Sequence, residues 1–263
     1  GQFVALPGYE GTCRREFEGN IPPDHRTIIL PGPTEDIVRW SEVDGDYRAL
    51  HEFTRRHGGI VHAHHQRWRL LGDPVEANIE ATSSWDVYLE VDPSVFHDHL
   101  RAGHRIGLFG GSDSHRRNPG LGGALTGLWA ESLTREAILD ALRAHRCYAT
   151  AGHRVLIDFR ANAQPMGSIL EAPSVDLTFR IASPVPILSV ELIRDGDVAR
   201  QWNAAGRTEL EGEHHEDLAD GDHFCYLRLI LDGPLYLRRD RMPANLMPAA
   251  SPRAWSSPIW VTT

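Results

Sequence analysis

The spacing of apolar residues changes near residue 151, and this change limits the possible folds more than any other feature of the sequence. Before it, short apolar runs alternate with segments of helical spacing, such as residues 133–142. After it, apolar and polar residues alternate with period two, in segments 155–159, 175–181, 188–194 and 225–231. Strands alternating with helices indicate an α/β sheet or barrel, whereas period-two strands separated by turns indicate an antiparallel β-sandwich. The sequence therefore predicts an α/β domain over residues 1–152 and a small β-sandwich domain over residues 153–263.

The composition excludes several classes of function. The net charge of −9 argues against binding nucleic acid through bulk positive charge, and no apolar run approaches the length of a membrane span. All 27 basic residues are arginine, so catalysis through a lysine Schiff base or a P-loop lysine is excluded. The three cysteines are too widely spaced for a disulfide framework or a thiolate zinc site. By contrast, the chain has 15 histidines, and several of them follow apolar runs.

A glycine-rich junction at residues 108–120 is the strongest candidate for a functional site. Two apolar residues and two glycines lead to Asp113 and His115, and Asn-Pro-Gly then turns the chain away. If the extended conformation continues, these two side chains point the same way, which suits ligands of one metal ion or of two adjacent ions. The alternative is a surface turn with polar residues that have no such role.

Other potential ligands lie beside short apolar strands earlier in the chain. Glu10 follows a Pro-Gly turn, and His25 begins a short apolar run. The strand that begins at residue 60 runs into His62, His64 and His65. If that strand continues, His62 and His64 share one face and His65 faces away, whereas an earlier end lets either His64 or His65 reach a metal. A histidine-rich surface loop is the alternative.

These pieces, in this order, resemble the PHP (polymerase and histidinol phosphatase) superfamily of metal-dependent phosphoesterases. The pieces that match are Gly8-Tyr9-Glu10, His25 before Ile28-Ile29, Gly58-Gly59-Ile60-Val61 leading to His64-His65, and Gly111-Ser112-Asp113-Ser114-His115. Residues 141–150 and 254–261 are similar to the branch of CehA/McbA-type metallohydrolases. The resemblance implies a distorted (β/α) barrel followed by a small β-rich domain, and it covers most of the chain.

The resemblance also implies a role for each candidate ligand. Glu10 would bridge two metal ions, His25 and His65 would complete the second, and Asp113 would bind the first. His64 competes with His65 for this role, because the spacing from Gly58-Gly59 favours His65 by only a single residue. Members of the superfamily begin with a His-x-His strand, and no residue before Glu10 supplies one. We therefore expect that the first strands of the barrel are missing from this chain, and that at most one ion binds tightly.

Metal-dependent hydrolysis is the function that the resemblance implies. His115 would bind a third ion where one exists, and it forms the predicted catalytic set with Glu10 and Asp113. Two or three zinc, manganese or iron ions in the complete site would activate water for attack on a small phosphoester. Arg116 and Arg117 follow the motif and are predicted to bind the anionic substrate, with a solvated surface charge as the alternative.

Two other functions stay open at this point. The same metals could hydrolyse a carbamate, a carboxylic ester or an amide, and chromogenic esters of both kinds would separate these substrates. Alternatively, the chain could be a noncatalytic binding module with a degenerate site, which would hold no stoichiometric metal.

Overall fold

The protein is described by a computed structural model that covers residues 3–12, 25–39, 47–64, 70–83, 89, 93–113, 123–234 and 252–263. Within these ranges it forms three helices, α1 (Tyr47–Arg56), α2 (Pro93–Arg101) and α3 (Arg135–Arg143). The strands before the predicted domain boundary are β1 (Gly8–Thr12), β2 (His25–Ile29), β3 (Ile60–His64), β4 (Glu76–Thr82), β5 (Gly107–Gly110), β6 (Leu125–Leu128) and β7 (Cys147–Thr150). The strands after it are β8 (Leu156–Ala161), β9 (Gln164–Pro165), β10 (Ile169–Glu171), β11 (Ser174–Ala182), β12 (Ile187–Arg194), β13 (Asp197–Asn203), β14 (Glu209–Asp217), β15 (Asp222–Leu231), β16 (Arg253–Ser256) and β17 (Ile259–Thr262).

The prediction of an α/β fold with a distorted (β/α) barrel is wrong. Strands make up 47% of the structure and helices 14%, so there are too few helices to alternate with the strands of a barrel. The first five strands form an open sheet in the order β1-β2-β3-β4-β5. Only two neighbouring pairs of this sheet, β3–β4 and β4–β5, are parallel, since β2 runs opposite to both of its neighbours, β1 and β3. Short apolar runs that end in polar residues are compatible with either direction of pairing, so the sequence pattern did not distinguish them.

Helices cover both faces of the five-stranded sheet. Leu50 and Phe53 of α1 pack with Ile28 and Val61 on one face. On the other face, the leucines of α3 pack with Ile60 in a separate cluster. Strands β3 and β4 are consequently buried along their whole length. Polar side chains on these strands are therefore held among buried neighbours.

A pair of glycines connects α1 to β3. Gly58 has a φ of +65°, a left-handed conformation that ends the helix and that glycine adopts without strain. Gly59 lies against β2, where an added Cβ would be only 2.6 Å from the Ile29 carbonyl oxygen. The two glycines thus bring β3 directly from the helix into register beside β2.

The alternating segments that follow residue 151 lie in β8, β11, β12 and β15. Strands β14-β11-β8-β9 form one sheet, and β10-β17-β15-β16-β7-β6 form another that β12 and β13 extend. Every second residue of β11 is buried, as the period-two pattern predicts. Phe159 and Phe179 from the smaller sheet share a core with Val190, Leu227 and Leu229 from the larger one. The two sheets therefore pack face to face.

The larger sheet includes strands from both sides of the predicted domain boundary. Ala254 of β16 pairs with Thr150 of β7, and β7 pairs with β6. The boundary near residue 152 stays a prediction. The three helices, of nine or ten residues each, are too short to cross a lipid bilayer.

Candidate metal centre

Three potential metal ligands come from three neighbouring strands, Glu10 on β1, His25 on β2 and His64 on β3. His25 pairs directly with His64 across the sheet, and Glu10 pairs with Thr27, two residues along β2. Residues paired across a sheet, and residues two apart along a strand, point to the same face. The antiparallel pairing therefore places all three side chains together on one face.

The ligand atoms of the three residues are close enough to surround one ion. One atom from each of Glu10, His25 and His64 lies within 4.8 Å of the others. Glu10 Oε1 is 2.5 Å from His25 Nδ1, and Glu10 Oε2 is 3.6 Å from His64 Nε2. The two imidazole rings lie 5.3 Å apart at an angle of 51°.

The donor set and its spacing fit a divalent transition metal. Two imidazoles and a carboxylate suit zinc, manganese or iron. Metal–ligand bonds of about 2.0–2.2 Å with tetrahedral angles place neighbouring ligand atoms roughly 3.3 Å apart. The distance between Glu10 Oε2 and His64 Nε2 is already near that value, while Glu10 Oε1 and His25 Nδ1 would have to separate by about 0.8 Å, so that each carboxylate oxygen faces one imidazole. The Glu10 side chain is 43% exposed, which leaves space for this movement.

His64 is the most buried of the three and is fixed by a neighbouring hydroxyl. Its side chain is 6% exposed, compared with 29% for His25. Its Nδ1 lies 2.8 Å from Thr27 Oγ1, so its Nε2 faces Glu10. Sequence reasoning did not single out Thr27. The signal was available, since Thr27 follows His25 at the i+2 position of a strand and therefore shares its face.

His62 lies two residues before His64 on β3 and is buried. Its ring packs on Phe109 with 4.3 Å between the ring centroids. Burial, with a smaller contribution from His64, lowers the pKa of His62 to about 3. Among the described residues, no group forms a hydrogen bond with its Nδ1. His62 is consequently a neutral, apolar-packed histidine beside the group of Glu10, His25 and His64.

Asp113 is not part of that group of three residues. Asp113 lies three residues beyond the end of β5 and does not join the other three ligands. Its φ of 42° is left-handed, a conformation that aspartate tolerates better than most residues. The other residues predicted in this region, His115, Arg116 and Arg117, lie outside the described residues, as does His65. Their predicted roles stay predictions.

The glycines before Asp113 admit a buried carboxylate. Glu80 of β4 is only 2% exposed, and a Cβ added to Gly111 would lie 2.7 Å from its Oε1. Gly111 thus allows the close approach of one specific group, the Glu80 side chain. Composition and spacing alone did not predict that Glu80 would be buried.

A buried ion pair lies on the opposite face of the same sheet. Arg26, between His25 and Thr27 on β2, points to the opposite face and is fully buried. Its Nε and Nη2 donate hydrogen bonds to Glu76 Oε1 at 3.2 and 3.1 Å. The backbone N–H of Leu71 donates to the other Glu76 oxygen at 2.7 Å. Burial is the largest influence on Glu76 and raises the pKa of its carboxyl, while Arg26 acts in the opposite direction.

Comparisons with known proteins match parts of the chain. A family model described as "Protein of unknown function (DUF3604)" matches residues 108–175. An uncharacterized protein of Chlamydia trachomatis serovar D is 29% identical over an alignment of 164 residues, with 57% of this chain and 24% of that protein covered. An uncharacterized protein of Chlamydia muridarum is 28% identical over an alignment of 169 residues, with coverages of 57% and 24%. An uncharacterized Chlamydia pneumoniae protein is 30% identical over an alignment of 151 residues, with coverages of 52% and 22%.

The chain therefore spans about a quarter of the length of these curated relatives, since the matches cover 24%, 24% and 22% of them. Among solved structures, a neutron crystallographic structure of a Jonesia denitrificans lytic polysaccharide monooxygenase aligns with 38% of this chain and 62% of that one. Its sequence identity is 19% and its TM-score is 0.24, which is too low to support an argument about fold or function.

Proposed function

We propose that the protein is a divalent-metal-dependent hydrolase in which Glu10, His25 and His64 hold the ion. The observation that carries this proposal is the convergence of one carboxylate and two imidazoles, from three strands, with ligand atoms within 4.8 Å of one another. A divalent ion bound there supplies a Lewis acid that activates water and polarises the bond to be hydrolysed. The resemblance seen in the sequence favours a small anionic phosphoester as the substrate.

The exposure of the group favours a catalytic ion over a structural one. Structural zinc sites are closed by four protein ligands, whereas catalytic sites use three and leave one position open. Here His64 is buried at the base of the group, while 29% of the His25 side chain and 43% of the Glu10 side chain face solvent. The exposed side is the one from which water and an ester substrate would approach.

Metal analysis tests the binding part of the proposal. After incubation with zinc and gel filtration, we expect plasma emission to show about one ion per chain, with zinc, manganese and iron compared in parallel. His64→Ala should weaken binding by more than about 100-fold, because loss of a ligand costs more than the 10- to 100-fold typical of losing a supporting partner. The matched control is His215→Ala, which removes an exposed imidazole that lies between Asp176 and Asp217 on the other half of the chain.

Equal weakening in His64→Ala and His215→Ala would show that the ion binds surface histidines adventitiously. Hydrolysis is tested separately with chromogenic phosphomonoesters, phosphodiesters and carboxylic esters, each with and without added metal. We expect metal-dependent release from a phosphoester. Stoichiometric metal without hydrolysis of any ester would reject the hydrolase assignment while leaving the metal site in place.

A further inference from the structure

We infer that Thr27 is a positioning residue for the metal centre, because its hydroxyl accepts a hydrogen bond from Nδ1–H of His64 and thereby directs His64 Nε2 to the ion. This inference rests on the proposed function, since it concerns the same site. It adds a residue that is not itself a ligand and that orients the His64 ring so that Nε2 faces the ion.

The geometry fixes the two nitrogens of His64 in different environments. Thr27 Oγ1 lies 2.8 Å from Nδ1, and Glu10 Oε2 lies 3.6 Å from Nε2 on the other side of the ring. A neutral imidazole carries one proton, and only the nitrogen without it can bind a metal. When an ion takes Nε2, the proton is on Nδ1, and Thr27 Oγ1 is the acceptor at hydrogen-bond distance. The hydroxyl is therefore placed to accept the Nδ1 proton of the tautomer that binds through Nε2, and it holds the ring with Nε2 facing Glu10.

A hydroxyl is well suited to this position because it can both donate and accept. Without an ion, the proton of His64 can lie on Nε2 and face the Glu10 carboxylate, in which case the Thr27 hydroxyl donates to Nδ1. With an ion, the direction of the hydrogen bond reverses and the threonine accepts. No side chain has to move for this reversal: the imidazole gives its Nε2 proton to water and takes one up from water at Nδ1, while the hydroxyl hydrogen rotates away from Nδ1.

The surroundings hold the hydroxyl in place. Thr27 lies in the middle of β2, with β1 on one side and β3 on the other, and it pairs with Glu10 and His62. A β-branched side chain in a strand has restricted rotation about χ1, so Oγ1 stays directed at the imidazole. Partners of this kind orient ligating histidines in many metal sites, and their loss typically costs 10- to 100-fold in metal affinity.

The test compares Thr27→Val with Thr27→Ser. Valine keeps the shape of threonine but removes the hydroxyl, whereas serine keeps the hydroxyl. Zinc affinity is measured by competition with a chromogenic chelator, and cobalt(II) absorption reports the geometry of the ligands. We expect Thr27→Val to bind zinc about 10- to 100-fold more weakly, with an altered cobalt spectrum, and Thr27→Ser to stay within a few-fold of the wild type.

The matched control is Thr54→Val, which removes a buried hydroxyl that donates to the Leu50 carbonyl oxygen in α1 at 2.8 Å. Zinc affinity should not change in this variant, and urea unfolding of each metal-free variant reports any loss of stability. If wild type and Thr27→Val bind zinc equally, or if Thr27→Ser is as weak as Thr27→Val, the positioning role is wrong and the proposed hydrolase is untouched. If the wild type holds no ion at this group, both the inference and the proposed function fail.

Discussion

The two halves of the molecule differ in what their sheets bury. The five-stranded sheet buries charged groups and imidazoles, including Arg26, Glu76, Glu80, His62 and His64. The sheets that follow residue 151 instead share a core that is almost entirely aliphatic and aromatic. Several of their ion pairs, such as Arg180 with Glu211, lie on the exposed surface, while the pair of Arg228 with Glu191 is partly buried. Buried polar groups cost free energy unless they are paired. Their concentration in one sheet therefore marks that sheet as the candidate location of a functional site.

The largest expected effect tests the contrast between buried and exposed ion pairs. Arg26→Met removes the cation and leaves the Glu76 carboxylate buried without its main partner, which should lower the free energy of unfolding by about 3–5 kcal/mol. In Arg180→Met, the exposed Glu211 partner keeps its water, so the change should be small. Urea unfolding of both variants at pH 7 measures the difference. Similar losses of unfolding free energy in the two variants would mean that the buried ion pair is no more important for stability than the exposed one.

A second, smaller effect concerns the dependence of stability on pH. Burial in the folded state lowers the pKa of His62 to about 3 from its ordinary value of 6.5, so the unfolded state binds the proton more readily. Folding stability is therefore lost as the pH falls below about 6.5, by roughly 2–3 kcal/mol between pH 7 and pH 4.5 for this group. His62→Leu should remove that part of the acid sensitivity when metal-free proteins are unfolded in urea at both pH values.

His215 provides the control with the opposite sign. Hydrogen bonds to Asp176 and Asp217 raise its pKa, so its contribution is present below the unfolded pKa and is lost as the pH rises. It is fully exposed, and solvent screening keeps that contribution small. An acid sensitivity that persists unchanged in His62→Leu would show that other groups of the sheet carry it.

The smallest expected effect concerns the helix that covers the same face as the candidate centre. Thr134 caps α3, and its Oγ1 accepts a hydrogen bond from the backbone N–H of Ala137 at 3.2 Å. Thr134→Ala should lower the free energy of unfolding by about 1 kcal/mol, while Thr134→Ser retains the cap and should be close to the wild type. Thermal unfolding monitored by circular dichroism can resolve the difference. A loss of equal size in the serine variant would indicate a packing role for the threonine methyl group.

The local features of the fold were predictable from the sequence, whereas the pairing of distant strands was not. Period-two alternation located β8, β11, β12 and β15, and the helical spacing of residues 133–142 located α3, because these signals are set by neighbours within a few residues. The direction in which β1 and β2 pair depends on contacts between separate segments, and the barrel prediction failed there.

The residues of the candidate site were likewise predictable only in part. Glu10, His25 and His64 were singled out from their places beside apolar strands, and the structure brings them together. The sequence left His64 and His65 as alternatives, since a shift of one residue in the strand exchanges their faces. Thr27 and the partnership of Arg26 with Glu76 were missed, because each depends on a cross-strand or long-range contact.

The antiparallel order of β1, β2 and β3 gives the candidate centre a mechanical consequence. In the described structure β1 is the outermost strand of its sheet, and Glu10 is its contribution to the centre. An ion bound by Glu10, His25 and His64 would link that outermost strand to β2 and β3. Ion binding and the detachment of β1 from the sheet would then be linked equilibria. Amide protons of β1 should then exchange with solvent more slowly when the ion is bound, whereas those of β11 and β15 should exchange at unchanged rates.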